Sequence, residues 1–519
     1  MAGDDSAGEA ALKVMVKGAG ISFVGLAFSN IVLYLTRLVL ARALTPDEYG
    51  LLFLTLSIIY LVMSFVTLGF ESGVQRYAPY YLAKNDMKKT KGVITSSLKM
   101  ALPVSIFTFL ILFIFSGQIS LLIFHNASLA PIIAILSVTL PFFVVYKILS
   151  AAFFSFKKVE YDVFSWSISR PVVTLAILLI SMFFGFGLMG ATAGYALGFV
   201  ASGVLAFILM ETKVFHVFTG KIKATPLKKT LLVFSLPLVV FSILWNFMTR
   251  IDTILLGMLK TSFDVGIYQT AVPTAQFLLV IPGALGTLFL PVISEFLSSG
   301  KTDSIGKVYR TIFAWIFYMN LPLLLVLIIY PNAVINVLFG PAYITAGGSL
   351  RILATACFIY AISMLSVSII GLYEKTKYFI LNSGVCLAIA AGLSYMLIPA
   401  YGIIGAAAAN ITALSAYTAI TVYEAYVFSG HLPFSKKIAK SLAAGVISIL
   451  SVYFATKILF AELSIWILAP MFVVFIAMYA LLLLILKGVG KEDIMILKAI
   501  ETKTGLRIKF VRNIIKRFI

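Results

Sequence analysis

Residues 47–52, DEYGLL, and residues 263–268, FDVGIY, set Gly50 and Gly266 at the same point of two apolar stretches, 216 residues apart. Two more pairs of segments keep nearly the same spacing. Tyr161 follows FKKVE and Tyr378 follows YEKTK, 217 residues on, while FGLMGATA (186–193) and YGIIGAAA (401–408) are 215 apart. A common offset over three separated loops points to a duplicated unit. Between the loops lies sequence that is apolar enough to cross a membrane, and duplicated membrane bundles are characteristically transporters with a site between repeats.

Composition fixes the class. Hydrophobic residues make up 61% of the 519 and charged ones only 12%, so most of the surface must face lipid rather than water. Fourteen runs of roughly 20 apolar residues fit between residues 19 and 486, each long enough for a hydrocarbon core of about 30 Å. The expected fold is an all-α polytopic membrane protein of about 14 helices. Two pseudo-symmetric six-helix bundles, residues 1–210 and 229–428, are joined by a basic linker, 211–228. A last pair of helices, 429–487, and a basic amphipathic tail, 488–519, complete the chain; the tail should lie on the anionic leaflet. The first apolar stretch is too long for a cleaved signal peptide, so the chain should be retained in the membrane.

The net charge of +20 is read by loop, since in membrane proteins positive charge reports topology before it reports nucleic acid. With a cytoplasmic amino terminus, 31 of the 40 Lys and Arg fall in inner loops and termini, three in outer loops, and six within or at the edge of spans. Both termini are therefore expected in the cytoplasm, in a multi-pass protein of the plasma membrane, and no nucleic-acid partner is expected. Six helices per repeat is an even number, so both repeats run the same way through the bilayer. In LTPDEYG, Thr45 and Glu48 form a capping box with Pro46 at the first helical position, which starts the second helix there.

Ionisable residues inside spans mark sites, because each costs about 2.5–3.5 kcal/mol to insert. Here they are mostly cations: Arg37 and Arg250 in the matching triplets LTR and MTR, with Lys99, Lys147 and Arg170 in helices 3, 4 and 5. Snorkelling to headgroups is the alternative for each. Asp252 is the carboxylate well inside a span; it stands two residues from Arg250, on another side of its helix, and either pairs with a neighbouring base or couples transport to H+ or Na+. A lumen rich in Arg suits a phosphate-bearing cargo, which guanidinium groups grip bidentately. Cys357 and Cys386 sit in apolar segments without metal or redox spacing, and the three histidines are scattered, so no metal, cofactor or catalytic constellation is expected. A membrane-embedded glycosyltransferase or polymerase would need paired carboxylates or a metal motif in a sizeable loop, which the sequence lacks.

The stretch Arg37 to Pro79, RLVLARALTPDEYGLLFLTLSIIYLVMSFVTLGFESGVQRYAP, resembles the opening of polysaccharide and lipid-linked oligosaccharide flippases of the multidrug/oligosaccharidyl-lipid/polysaccharide (MOP) superfamily. The matching features are the turn formed by Ala41, Arg42, Leu44, Pro46, Glu48, Tyr49 and Gly50, then Gly69 and Arg76; RIDTILLG (250–257) with VGIY (265–268) is similar in the second half. The resemblance implies a V-shaped pair of bundles around a cationic cavity that passes a lipid-linked sugar from the cytoplasmic to the outer leaflet, its tail left in the bilayer. It also places Arg37, Arg250 and Asp252 on cavity-lining helices. The expected function is thus a flippase for a lipid-(pyro)phosphate-linked oligosaccharide, with membrane lipids and a coupling ion as partners. A peptidoglycan-precursor flippase or a cation-coupled drug exporter is the alternative. Drug-exporting relatives usually carry an acid in the first helix, and none lies there in this chain.

Overall fold

A computed structural model of the chain describes residues 2–459 apart from 301, 376 and 436, then residues 465–486, and 488 and 493. The expected amphipathic tail lies almost wholly outside the described residues. Among those described there is no strand. The helices are α1 (Ala2–Ala43), α2 (Pro46–Val66), α3 (Phe70–Ala83), α4 (Met87–Ile114), α5 (Ser116–Phe124), α6 (Leu129–Ser137), α7 (Thr139–Ser155), α8 (Val159–Asp162), α9 (Arg170–Phe183), α10 (Gly187–Leu209), α11 (Lys228–Met248), α12 (Ile251–Leu259), α13 (Ser262–Gln276), α14 (Val280–Ser298), α15 (Thr302–Ile329), α16 (Pro331–Phe339), α17 (Gly347–Leu372), α18 (Lys377–Ser429), α19 (Lys437–Leu459) and α20 (Ile465–Ile485).

Twelve described helical stretches are long and apolar enough to span, against the fourteen expected. The difference falls at two places. α18 is one run of 53 residues that holds two expected spans, with the backbone reversing at Gly402 (φ 54°, ψ −129°), a conformation open to glycine because it carries no Cβ. α20 comes after a stretch outside the described residues, which shortens what can be measured of it.

The duplication is written into the backbone more sharply than into the side chains. α4 and α15 are both 28 residues long, α5 and α16 both 9, and each pair is 215 residues apart at both ends. Left-handed turn residues recur at the same spacing: Asn85 with Gly300, His125 with Gly340, and Gly187 with Gly402 at 215, and Lys157 with Glu374 at 217.

The chain divides into two compact units, Met1–Gln269 and Thr270–Ile519. In the first, the capping box at α2 is formed as expected: the Thr45 amide donates to Glu48 Oε2 (2.9 Å) and the Glu48 amide to Thr45 Oγ1 (3.3 Å). α13 starts with the equivalent device, since Thr261 Oγ1 donates to Asp264 Oδ2 (2.7 Å) and receives the Asp264 amide (3.3 Å). These two helix starts touch. A Cβ on Gly50 would lie 1.8 Å from the Ser262 carbonyl oxygen, and one on Gly266 would lie 1.9 Å from that of Pro46, so only glycine permits the approach. Ser262 Oγ donates to Asp47 across the contact (2.5 Å) and receives the Asn126 amide (3.2 Å).

The second unit is built on an apolar core that includes Phe289, Tyr309, Phe313, Leu365 and Ile369. Several of its buried polar groups are paired: Tyr309 Oη with Ser366 Oγ (2.7 Å), Asn320 Nδ2 with the Leu278 carbonyl (2.9 Å), and Asn382 Nδ2 with Glu424 Oε2 (2.7 Å). Satisfying each donor inside the protein is what a lipid environment demands.

Candidate functional site

Three of the five cations expected in spans converge in the first unit, and they do so around an aromatic scaffold. α1 carries Arg37, whose guanidinium carbon lies 4.3 Å from the centroid of the Phe53 ring on α2. One and a half to two turns further along α2 stands Tyr60. Arg250 lies over its ring, 4.4 Å from the centroid, and Arg170 Nη1 donates to its hydroxyl at 3.4 Å. Arg170 itself is only 8% exposed and lies against Trp166 (4.0 Å) and Phe199 (5.4 Å).

Local backbone irregularity aims two of the three. The start of the α8–α9 span winds as a π-helix over Val163–Ser169, and Arg170 is the first residue after it. Such wide turns rotate the succeeding residues about the helix axis and recur at functional sites. Gly198 on α10 lets the Arg170 turn come close, because a Cβ there would lie 2.9 Å from the Arg170 carbonyl. Arg250 sits in the break between α11 and α12, at φ −136° and ψ −8°, with its amide bonded back to Phe247 (3.1 Å). Arg37 is mid-helix. The triplets LTR and MTR therefore match in letters but not in backbone.

What the arginines lack is acid. Arg37 Nη1, Arg170 Nε and Arg250 Nε are buried without a hydrogen-bond partner, and no described carboxylate forms an ion pair with any of the three. The charge of Arg37 works against that of Arg250, and the carboxylate of Asp252 works in its favour without bonding to it. Cation–π contacts offset part of that cost, at about 0.5–2 kcal/mol each. Unpaired donors on neighbouring like charges leave the group short of an anion.

Asp252, beside this cluster, is held by neutral donors. Tyr268 Oη donates to it at 2.6 Å and the Thr253 amide at 2.7 Å, and Gln269 extends the network to Thr253 Oγ1 (2.8 Å). Lys147 is half-buried on α7 and makes none of the ring contacts that hold the three arginines. Asp162 accepts from Tyr146 (3.1 Å), whose ring stacks on Trp166 at 4.3 Å and 8°. Lys99 is exposed on α4, outside the cluster.

The aromatic scaffold of Phe53, Tyr60, Trp166 and Phe199 has no mark of its own in the sequence. In a chain with 43 Phe and 24 Tyr, no single ring stands out. The one usable signal is spacing: Phe53 and Tyr60 are seven apart, on one face of α2, and Trp166 is four before Arg170.

Comparison with known proteins bears on family and fold. A family model described as "Polysaccharide biosynthesis protein" matches residues 15–297, more than half of the chain, and a second, MatE, matches residues 237–396. The chain belongs to the polysaccharide biosynthesis protein family. Proteins that resemble it include an uncharacterized membrane protein of Methanocaldococcus jannaschii, 23% identical over 85% of this chain and 89% of that protein. Stage V sporulation protein B of Bacillus subtilis is 23% identical over 93% and 98%. Among solved structures, the lipid II flippase MurJ in an inward closed conformation superposes with a TM-score of 0.70 at 15% identity, covering 89% of this chain and 98% of that one. An inward-facing multidrug resistance MATE family transporter of the MOP superfamily gives 0.68 at 11% identity, covering 77% and 94%. At these identities the solved structures speak for the fold, and this chain shares with them a multi-pass arrangement of apolar helices.

Proposed function

We propose that the protein is a flippase that moves a lipid-phosphate- or lipid-pyrophosphate-linked oligosaccharide from the cytoplasmic to the outer leaflet by alternating access, for surface polysaccharide or glycoprotein assembly. The observation that carries this reading is the set of three guanidinium groups along the Phe53 and Tyr60 face of α2, each with a buried donor that no acid bonds. A phosphate brings the acceptor oxygens that Arg37, Arg170 and Arg250 lack, and bidentate geometry makes arginine better than lysine for it. A cationic drug would meet like charge there. In this reading Lys99 reaches lipid phosphate at the bilayer edge. Asp252 orders the break that presents Arg250. Fourteen passes, a plasma-membrane location and cytoplasmic termini complete the proposal, supported by the excess of Lys and Arg in alternate loops.

The test is flipping of a fluorescent lipid-linked oligosaccharide in reconstituted vesicles. A charge-assisted hydrogen bond is worth about 1.5–3 kcal/mol, so Arg170→Ala and Arg250→Ala should each slow flipping by about 10- to 150-fold, while Lys99→Ala leaves it near wild type. Wild-type rates for both arginine variants, with insertion and folding intact, reject the site.

The likeness to a lipid II flippase favours one second reading, a peptidoglycan-precursor cargo. That cargo also carries pyrophosphate, so the same arginines would receive it. Which lipid-linked sugar protects the purified protein against heating separates the two.

A further inference from the structure

The segment between α10 and α11 is pinned to the start of α4 along one face and bare on the other. Val217 is buried and Phe215 stacks on Phe156 with centroids 5.3 Å apart. Lys91 Nζ, itself buried, donates to the Gly220 carbonyl (2.8 Å), the Thr225 amide donates to the Lys88 carbonyl (3.0 Å), and the Leu227 amide donates to Ser96 Oγ (3.2 Å). Gly92 makes room for this, because a Cβ there would lie 1.8 Å from the Thr225 oxygen. Residues 215–227 are thus a fixed strap and not a free linker.

Its outer face combines two kinds of group. Phe218 is 52% exposed and Ile222 38%, an unusual display for apolar side chains on a short polar connection. Around them stand the exposed lysines Lys221, Lys223, Lys228 and Lys229, with Lys84 and Lys88 at the adjoining α3–α4 corner. The two carboxylates within residues 80–92 and 210–230 are already engaged. Glu211 accepts the Phe218 and Thr219 amides (3.1 and 2.7 Å), and Asp86 accepts the Lys89 amide (3.0 Å) and pairs with Lys89 (3.2 Å). The exposed positive charge is left without internal compensation.

The position of this face decides what it meets. Three membrane spans end or begin at the strap: Gly187–Val214, Lys228–Met248 and Met87–Ile114. It therefore lies at a bilayer boundary, where an apolar ring can enter the acyl edge while ammonium groups reach lipid phosphates.

We propose that residues 215–229 form a docking surface for anionic lipid headgroups of the surrounding bilayer, with Phe218 and Ile222 entering the interface and Lys221, Lys223, Lys228 and Lys229 holding the phosphates. Because the strap joins α10 to α11 while gripping α4, bound lipid fixes the connection between the repeats. The proposal is independent of the cargo.

The full-length protein in detergent is titrated with phosphatidylglycerol or phosphatidylcholine while its thermal midpoint is tracked. Phosphatidylglycerol should raise the midpoint more at equal concentration. Lys221→Gln with Lys223→Gln should shift the phosphatidylglycerol titration to about 30-fold higher lipid, each lysine near a surface being worth about 1 kcal/mol. Phe218→Ser with Ile222→Ser should also weaken it, and Lys375→Gln with Lys377→Gln, the same charge change elsewhere, should not. Should the Phe218 and Ile222 double variant fold poorly, the lysine pair decides alone, since both side chains are exposed. An equal response to the two lipids, an equal shift from the Lys375 and Lys377 control, or the same stabilisation by inorganic phosphate would each overturn the proposal. So would lysine variants that titrate like wild type.

Discussion

Replacing Gly50 by alanine tests the contact between the two helix starts. Taken alone, alanine for glycine inside a helix gains about 1 kcal/mol, because glycine loses more backbone freedom on folding. At Gly50 the new methyl would sit 1.8 Å from the Ser262 carbonyl oxygen and 2.7 Å from the Gly266 nitrogen, both backbone atoms that no rotamer change can move. The helices must part by roughly 1 Å or more. Overpacking of this kind costs about 1–3 kcal/mol, and two backbone clashes put Gly50→Ala near the top of that range, for a net loss of about 2 kcal/mol. Gly392, on α18, is the internal reference, since nothing lies within 4 Å of a Cβ built there. Gly392→Ala should be neutral or stabilising by up to about 1 kcal/mol. Unfolding by SDS titration in dodecyl maltoside micelles reads both. If Gly50→Ala tracks Gly392→Ala, the reciprocal glycine contact is not a close approach and the reasoning fails.

Gly266→Ala should destabilise by a similar amount, and the double variant by less than the sum, because both methyls force the same separation; the same titration gives the coupling. Tyr268→Phe removes the 2.6 Å donor to buried Asp252 and should cost about 1–3 kcal/mol, measured likewise. Asp86, outside the spans, is held below the usual carboxylate range chiefly by the Lys89 amide that it caps, with the Lys89 side chain adding to this. A depressed folded value means that the cap contributes fully above the ordinary carboxylate range and fades as pH falls through the lower one. Amide exchange in the first turn of α4 should therefore speed up on acidification relative to mid-helix amides, and Asp86→Asn should flatten that dependence.

Much of the architecture was readable because its determinants are local or repetitive. The Thr45–Glu48 cap needs residues three apart, and the offset near 215 needs only comparison of the chain with itself. The second cap at Thr261 has the same spacing, but Asp264 stands in the place of glutamate, so it departs from the usual capping-box pattern. The site was legible in residue type and not in grouping. Arg37, Arg170 and Arg250 were visible as costly charges in spans, whereas the meeting of Arg170 and Arg250 at Tyr60 depends on a π-turn and a helix break that leave no clear mark in periodicity. Lys99 and Lys147 were indistinguishable from them in sequence. One is exposed and the other half-buried, and only packing decides which.

The paired left-handed turns tell of the chain's history. Asn85 answers to Gly300 and His125 to Gly340, so a positive-φ turn recurs at the same place in each copy while the residue that makes it differs. Ancestry in this protein is stored as a sequence of bends. Once the corners are held, the walls between them are free to diverge, which is how Arg37 and Arg170 come from one copy and Arg250 from the other.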